Sequence, residues 1–216
     1  MKIHLLLALL APLCLAASDG SNLIPNGDMK AADPTQGFFI SFPYQGAYVK
    51  NAEFVKLGQL GGRTCIVLQG TDKYAGMKGM KVLSPLAKVE EGKSYKASVD
   101  LYRELKQTHF KVFVELYAED PRPNPNISSV QTMQIPAGDG HPALVQVYKR
   151  DLNIKTGIPL NEWTKVETDL QVPAKENLKV LGKPAVASYA TIKVLVLGAG
   201  SHDFIHTAGA TNFQLK

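Results

Sequence analysis

SYKASVDLY (Ser94–Tyr102) and HFKVFVELYAED (His109–Asp120) alternate apolar and polar residues almost one for one, the period of a strand that keeps one face in a core. In the first stretch Tyr95, Ala97, Val99 and Leu101 fall on one side, and Lys96, Ser98, Asp100 and Tyr102 on the other. In the second, Phe110, Val112, Val114, Leu116 and Ala118 form the apolar side, while His109, Lys111, Phe113, Glu115 and Tyr117 face away. The turn between them, around Glu104 to Thr108, is short enough for an antiparallel hairpin. That pairing predicts one outward sheet face carrying Asp100, Tyr102, Phe113, Glu115 and Tyr117 together.

The same reading extends along the chain. RTCIVLQG, ALVQVYKRDLNI, WTKVETDLQVP and YATIKVLVLGAG are rich in Val, Ile, Tyr and Thr. Turn-forming clusters separate them: Glu91-Gly92-Lys93, PRPNPN from Pro121, AGDGHP from Ala137 and TGIPLNEW from Thr156. No window after the first twenty residues holds a helical period. The expected class is all-β, a β-sandwich or jelly roll. There is no internal repeat or linker, so residues 18–216 are read as a single domain.

Lys2, the apolar run Ile3–Leu15 and the small residues Ala16-Ala17-Ser18 have the three-part layout of a secretory signal, expected to be cleaved after Ala17. The run is shorter than the roughly 20 residues that span a bilayer, so no transmembrane segment is expected, and the protein is placed outside the cell, in the periplasm or at the cell surface. Cleavage removes Cys14 and leaves Cys65 without an internal disulfide partner. Cys65 sits in an apolar strand-like run, where a small buried thiol is the expected role. The formal charge is +5, but the excess is spread along the chain without a basic cluster or an aromatic platform, which argues against nucleic acid as a partner.

NLIPNGDM, GGRTCIVLQG, VLSPLAKVEEGKSYKASVDLY, EWTKVETDLQVP and a final ATNFQLK follow one another in an order that resembles the galactose-binding-like jelly rolls, in particular the secreted carbohydrate-binding modules of families four, nine and twenty-two. The resemblance implies that Leu23 and Ile24 tuck a terminal strand into the core while Pro25-Asn26-Gly27 turns the chain. It implies a structural role for Trp163 at the start of a strand. It also implies a structural calcium ion between the N-terminal segment and acids in the last strand. Here Asp28 stands at one end, but Ala210-Thr211-Asn212-Phe213 offers only Asn212 and backbone carbonyls at the other.

The resemblance places glycan on a sheet face, and a pyranose is commonly held by flat rings with carboxylates or amides beside them. Tyr102, Phe113 and Tyr117 supply rings, and Asp100 and Glu115 acids. The alternative is that the 121–143 loop covers Phe113 and Tyr117 as a second small core. Phe38, Phe39, Phe42, Tyr44 and Tyr48 either rim a cleft or pack. A retaining glycosidase needs two carboxylates about 5 Å apart. ETDLQV begins the Glu-x-Asp-x-x-Glu pattern of one jelly-roll family at Glu167 and Asp169, but Val172 fills the third place. His202, Asp203 and His206 lack a third metal ligand, and Asn126 opens an Asn-Ile-Ser acceptor for glycosylation. The reading is a secreted, non-catalytic protein that binds an oligo- or polysaccharide. A structural or adhesive envelope protein is the alternative, followed by a hydrolase or lyase.

Overall fold

The structure is a computed structural model that describes residues 20–44, 47–49, 55–71, 79–119, 132–133, 144–152, 154, 157–198 and 204–216. The leader, Asn126, His202, Asp203 and most of the 121–143 loop lie outside those residues. In chain order the strands are β1 (Phe39–Tyr44), β2 (Ala47–Val49), β3 (Val55–Leu60), β4 (Arg63–Thr71), β5 (Met80–Leu83), β6 (Ala87–Lys88), β7 (Ser94–Arg103), β8 (Thr108–Glu119), β9 (Thr132–Met133), β10 (Leu144–Asp151), β11 (Thr164–Gln171), β12 (Lys179–Val180), β13 (Lys183–Pro184), β14 (Tyr189–Gly198) and β15 (Ile205–Leu215). A 3₁₀ turn, Lys175–Asn177, precedes β12.

Two antiparallel sheets make the jelly-roll sandwich. One runs β2-β1-β5-β14-β8-β10-β9, with β6 also paired to β14; the other is five-stranded, β11-β7-β15-β4-β3. Val82, Val112, Val114, Leu116, Ile192, Val194 and Val196 of the first face Ile66, Leu68, Ala97, Val99, Leu101, Ala208, Ala210, Phe213 and Leu215 of the second in one core. Burying each large aliphatic side chain in such a core contributes about 1.5–3 kcal/mol relative to exposure, so period-two patterning on both sheets is the main source of stability. Among the described residues no helix is long and apolar enough to cross a membrane.

The parity of the two opening stretches is as expected, but their pairing is not. β7 pairs with β11 and β15, whereas β8 pairs with β14 and β10. The four residues between them form an arch from one sheet to the other. Arg103 holds the arch by donating from Nη1 to the carbonyls of Lys106 (3.0 Å) and Thr108 (2.8 Å). Two strands that each have one strongly apolar side bury more of it by facing each other across the sandwich than by lying side by side. Alternation specifies which face is buried and leaves the neighbouring strand open.

The N-terminal segment is clamped to the end of β15. Leu23 N–H donates to Leu215 O (2.8 Å) and Phe213 N–H to Gly27 O (2.8 Å). Asn22 completes the clamp, donating to Phe213 O (2.8 Å) and accepting from Leu215 N–H (3.0 Å). Ile24 is buried as expected, but Leu23 is exposed. Gly27 is required by proximity: a Cβ there would lie 2.1 Å from Phe213 O and 2.6 Å from Asn22 Nδ2. Gly27→Ala is therefore expected to pry the segment from β15 and lower stability by about 2–3 kcal/mol, an overpacking cost plus weakened hydrogen bonds. Urea unfolding checks this; a change below ~0.5 kcal/mol would show the clamp to be dispensable.

Candidate functional site

Asp100 and Tyr102 point outward from the five-stranded sheet, while Phe113, Glu115 and Tyr117 point outward from the other sheet. The arch between β7 and β8 therefore puts the expected five-residue set on opposite sides of the molecule. All five are buried: Asp100 and Tyr102 are 7% exposed, Phe113 8%, and Glu115 and Tyr117 2%. The shared face deduced from a hairpin is corrected to two separate faces. Asp100 and Glu115 accordingly do not form a carboxylate pair across one site.

On the five-stranded sheet the centre is Asp100. Its Oδ2 accepts from Arg63 Nη1 (3.0 Å) and Asn212 Nδ2 (3.3 Å), and Gln214 Nε2 donates to Asn212 Oδ1 (2.6 Å). Asp100 Oδ1 is buried without a hydrogen-bond partner among the described residues. Beside this strip lies Trp163, half-buried. Its indole N–H donates to Leu60 O (3.1 Å), its ring meets Tyr102 at 5.3 Å with a 38° tilt, and the Arg63 guanidinium sits 5.4 Å from the ring centroid. The indole approaches the sheet this closely because residue 209 is glycine; a Cβ there would come within 2.9 Å of Trp163 Cη2. Arg63 is presented by the Gly61-Gly62 turn between β3 and β4, where both glycines adopt positive φ, as a tight two-residue hairpin requires.

Sequence reasoning missed Arg63, Asn161 and Gln214 in this group. Tyr102 OH donates to Asn161 Oδ1 (3.4 Å), so Asn161 belongs to its rim. The placement of Gln214 and of Asn212 beside Asp100 depends on a bulge in β15. Thr211 pairs with Asp100 and Gln214 with Ser98, three residues against two, and Asn212 takes φ 53°. Asn in the left-handed region is the one visible sign of such a bulge. The bulge lets Thr211 and Asn212 both leave the core while Phe213 returns to it.

The residues expected to hold calcium do not fit the ion. Asp28 is exposed and paired with Lys30 Nζ (3.1 Å), whose hydrogen bond holds the carboxyl below its ordinary range despite the opposing effect of desolvation. Asn212 is engaged by Asp100 and Gln214. Calcium takes six to eight oxygen ligands, and a single lysine-paired carboxylate is a poor start to that set. The carbonyls of Asp33, Pro34 and Gln36 receive the amide of Asn26 at 3.4, 3.0 and 3.4 Å. Among the described residues no three His, Cys, Asp or Glu side chains converge as metal ligands.

The glycosidase-like pair on β11 is a surface ion-pair group. Glu167 lies 3.2 Å from Lys165 and 3.7 Å from Lys96, and Asp169 lies 4.0 Å from Lys96. The hydrogen bond from Lys165 holds the Glu167 carboxyl low, the wrong direction for a general acid. His206 is buried with Nδ1 3.0 Å from Thr108 Oγ1, a bond that ties the arch to β15. Cys65 is buried, and desolvation pushes its thiol up to about 11, which leaves it unreactive in the folded chain. Phe38 packs edge-on against Phe213 at 5.2 Å; the side chains of Phe39, Phe42, Tyr44 and Tyr48 lie outside the described residues.

No family model matches the chain, and no curated protein matches it. Among solved structures it is similar to a CBM4 module, at 11% identity and a TM-score of 0.45 over 89% of this chain and 98% of that one. It is also similar to the enzymatically active domain of bacteriophage CBA120 tailspike protein 4, at 12% identity and a TM-score of 0.47 over 90% of this chain and 21% of that one. A third match is an infectious bursal disease virus structure, at 9% identity and a TM-score of 0.44 over 81% of this chain and 35% of that one. The chain thus spans about a third or less of the two viral chains and nearly all of the CBM4 module, which belongs to one of the groups the sequence resembles. Function has to be read from the side chains the sandwich displays.

Proposed function

We propose that this protein is a secreted, non-catalytic carbohydrate-binding protein whose site is the outer face of the five-stranded sheet. The supporting observation is the strip Arg63–Asp100–Asn212–Gln214 beside the half-buried Trp163. A sugar ring presents vicinal hydroxyls and a flat C–H face. Arg63 and the two amides offer hydrogen-bond groups, Asp100 orients Arg63 and Asn212 from below through Oδ2, and the indole edge offers the apolar contact. Tyr102 belongs to the supporting layer beneath the ring. Export is assigned to the leader at residues 1–17, with residues 18–216 acting as one unit at or beyond the cell surface. A protein of the envelope without a sugar site is the second reading, favoured by the contact of Arg63 with the Trp163 ring.

The test is calorimetry of the mature chain against neutral oligosaccharides of glucose, xylose and galactose. One series is expected to bind, and Arg63→Ala to weaken it about tenfold or more, the effect of losing a charge-assisted hydrogen bond. Arg63 is half exposed, so the variant should fold, and Lys175→Ala on the 3₁₀ turn serves as the unaffected control. Absence of binding to every series would leave the envelope reading in possession, and equal binding by Arg63→Ala would remove the site from this face.

A further inference from the structure

We propose that Met29 stands where a structural calcium ion would join the N-terminal segment to the last strand, so that this chain fastens its terminus with an apolar plug and folds without the ion. With Asp28 held by Lys30, and Asn212 by Asp100 and Gln214, something else has to join the two segments. A thioether does: Met29 Sδ lies 3.7 Å from Thr211 Oγ1. Thr211 precedes Asn212 in the same stretch that was expected to supply the last-strand ligands. Both partners are buried, Met29 at 5% exposure and Thr211 at 7%.

The backbone bends to put the sulfur there. Met29 takes φ 59° and Asn26 φ 52°, and Met29 N–H donates to Asn26 O (2.9 Å). Residues other than Gly, Asn and Asp rarely enter the left-handed region, so a methionine held in it needs a compensating gain. Its neighbours Asp28 and Lys30 are exposed. The turn thus sends one apolar side chain inward between two charged ones that stay in water, and burial of that side chain supplies the gain.

The oxygens around the plug already have donors. Thr211 Oγ1 donates to Thr64 O (3.1 Å), a better acceptor than the sulfur. Gly27 O accepts from Phe213 N–H (2.8 Å) and Asn26 O from Met29 N–H, while the carbonyls of Asp33, Pro34 and Gln36 take the Asn26 amide. Calcium is a hard cation that gathers oxygens at about 2.3–2.6 Å, and a thioether is a soft ligand that suits other metals. An ion could enter only by expelling the Met29 side chain into water and taking these oxygens from their donors. The readout that follows is stability, so it does not depend on whether the five-stranded face binds sugar.

Thermal unfolding of the mature chain in EDTA, in CaCl2 and in MgCl2 provides the test. The three wild-type midpoints are expected to coincide within about 1 °C. Met29→Ala should lower the midpoint by about 5 °C or more, equally in all three solutions, because an apolar cavity is blind to metal. Met29→Glu/Thr211→Asp puts two carboxylates into the junction. It should melt below Met29→Ala in EDTA, through repulsion between desolvated charges, and regain on the order of 5 °C in CaCl2 but little in MgCl2. A wild-type midpoint raised by calcium and not by magnesium would overturn the proposal, since the native chain would then hold the ion. So would a Met29→Ala midpoint within about 1 °C of wild type. A double variant that calcium neither stabilises nor refolds, with circular dichroism as the measure of refolding, would show that Met29 fills a space no ion fits, and would overturn it as well.

Discussion

Lys193→Met is expected to lower the unfolding free energy by about 3–5 kcal/mol, the range for breaking a buried ion pair from one side. Glu115 is 2% exposed and receives Lys193 Nζ at 2.7 Å on one oxygen and Tyr117 OH at 2.6 Å on the other. Removing the ammonium leaves a desolvated carboxylate with a single neutral donor. Glu115→Leu in the same background removes the uncompensated charge, so Lys193→Met/Glu115→Leu should recover most of the loss, because an apolar pair of similar volume often matches a buried ion pair. Urea unfolding of both single variants and the double variant closes the cycle. A loss under ~1 kcal/mol in Lys193→Met would mean that water reaches Glu115 and that the pair behaves as a surface bridge.

Glu115 also shows what alternation can and cannot say. Its outward parity on β8 was legible, as were the inward positions of Val99, Leu101, Val112, Val114 and Leu116. The reading of outward as exposed failed, because Lys193, Lys149 and Tyr117 close over that face. Period two reports a side of the sheet, and exposure depends on what neighbouring strands lay across it. Similarly, the short link after Arg103 suits a hairpin and an arch equally well by length, and the grip of Arg103 on the carbonyls of 106 and 108 that holds the arch is a contact between side chain and backbone that carries no periodic signal. Asp100 and Tyr102 were placed correctly on an outward face, but their true neighbours come from β4 and β15. Arg63 is remote in sequence, and the register that brings it to Asp100 is set by strand order.

The last strand is where a one-residue irregularity changes the most. Strict alternation from Ala210, a core residue, would place Asn212 inside and Phe213 outside. The bulge at Asn212 reverses this, so Phe213 and Leu215 are both in the core, at 0% and 1% exposure. Phe213 is among the largest fully buried side chains; it meets Phe38 edge-on at 5.2 Å, and its backbone carries the clamp to Gly27 and Asn22. Phe213→Ala is therefore expected to cost about 3–5 kcal/mol, the transfer loss of a ring plus the cavity it leaves, while Phe213→Leu should cost distinctly less. Thermal unfolding gives the magnitude. Hydrogen exchange gives the mechanism: the amides of Leu23 and Leu215, bonded within the clamp, should lose protection in Phe213→Ala beyond the global change. If exchange at those two amides merely followed the global loss, the ring would be filling the core without fastening the terminal segment. The Asn22–Gly27 clamp would then owe its order to its own hydrogen bonds.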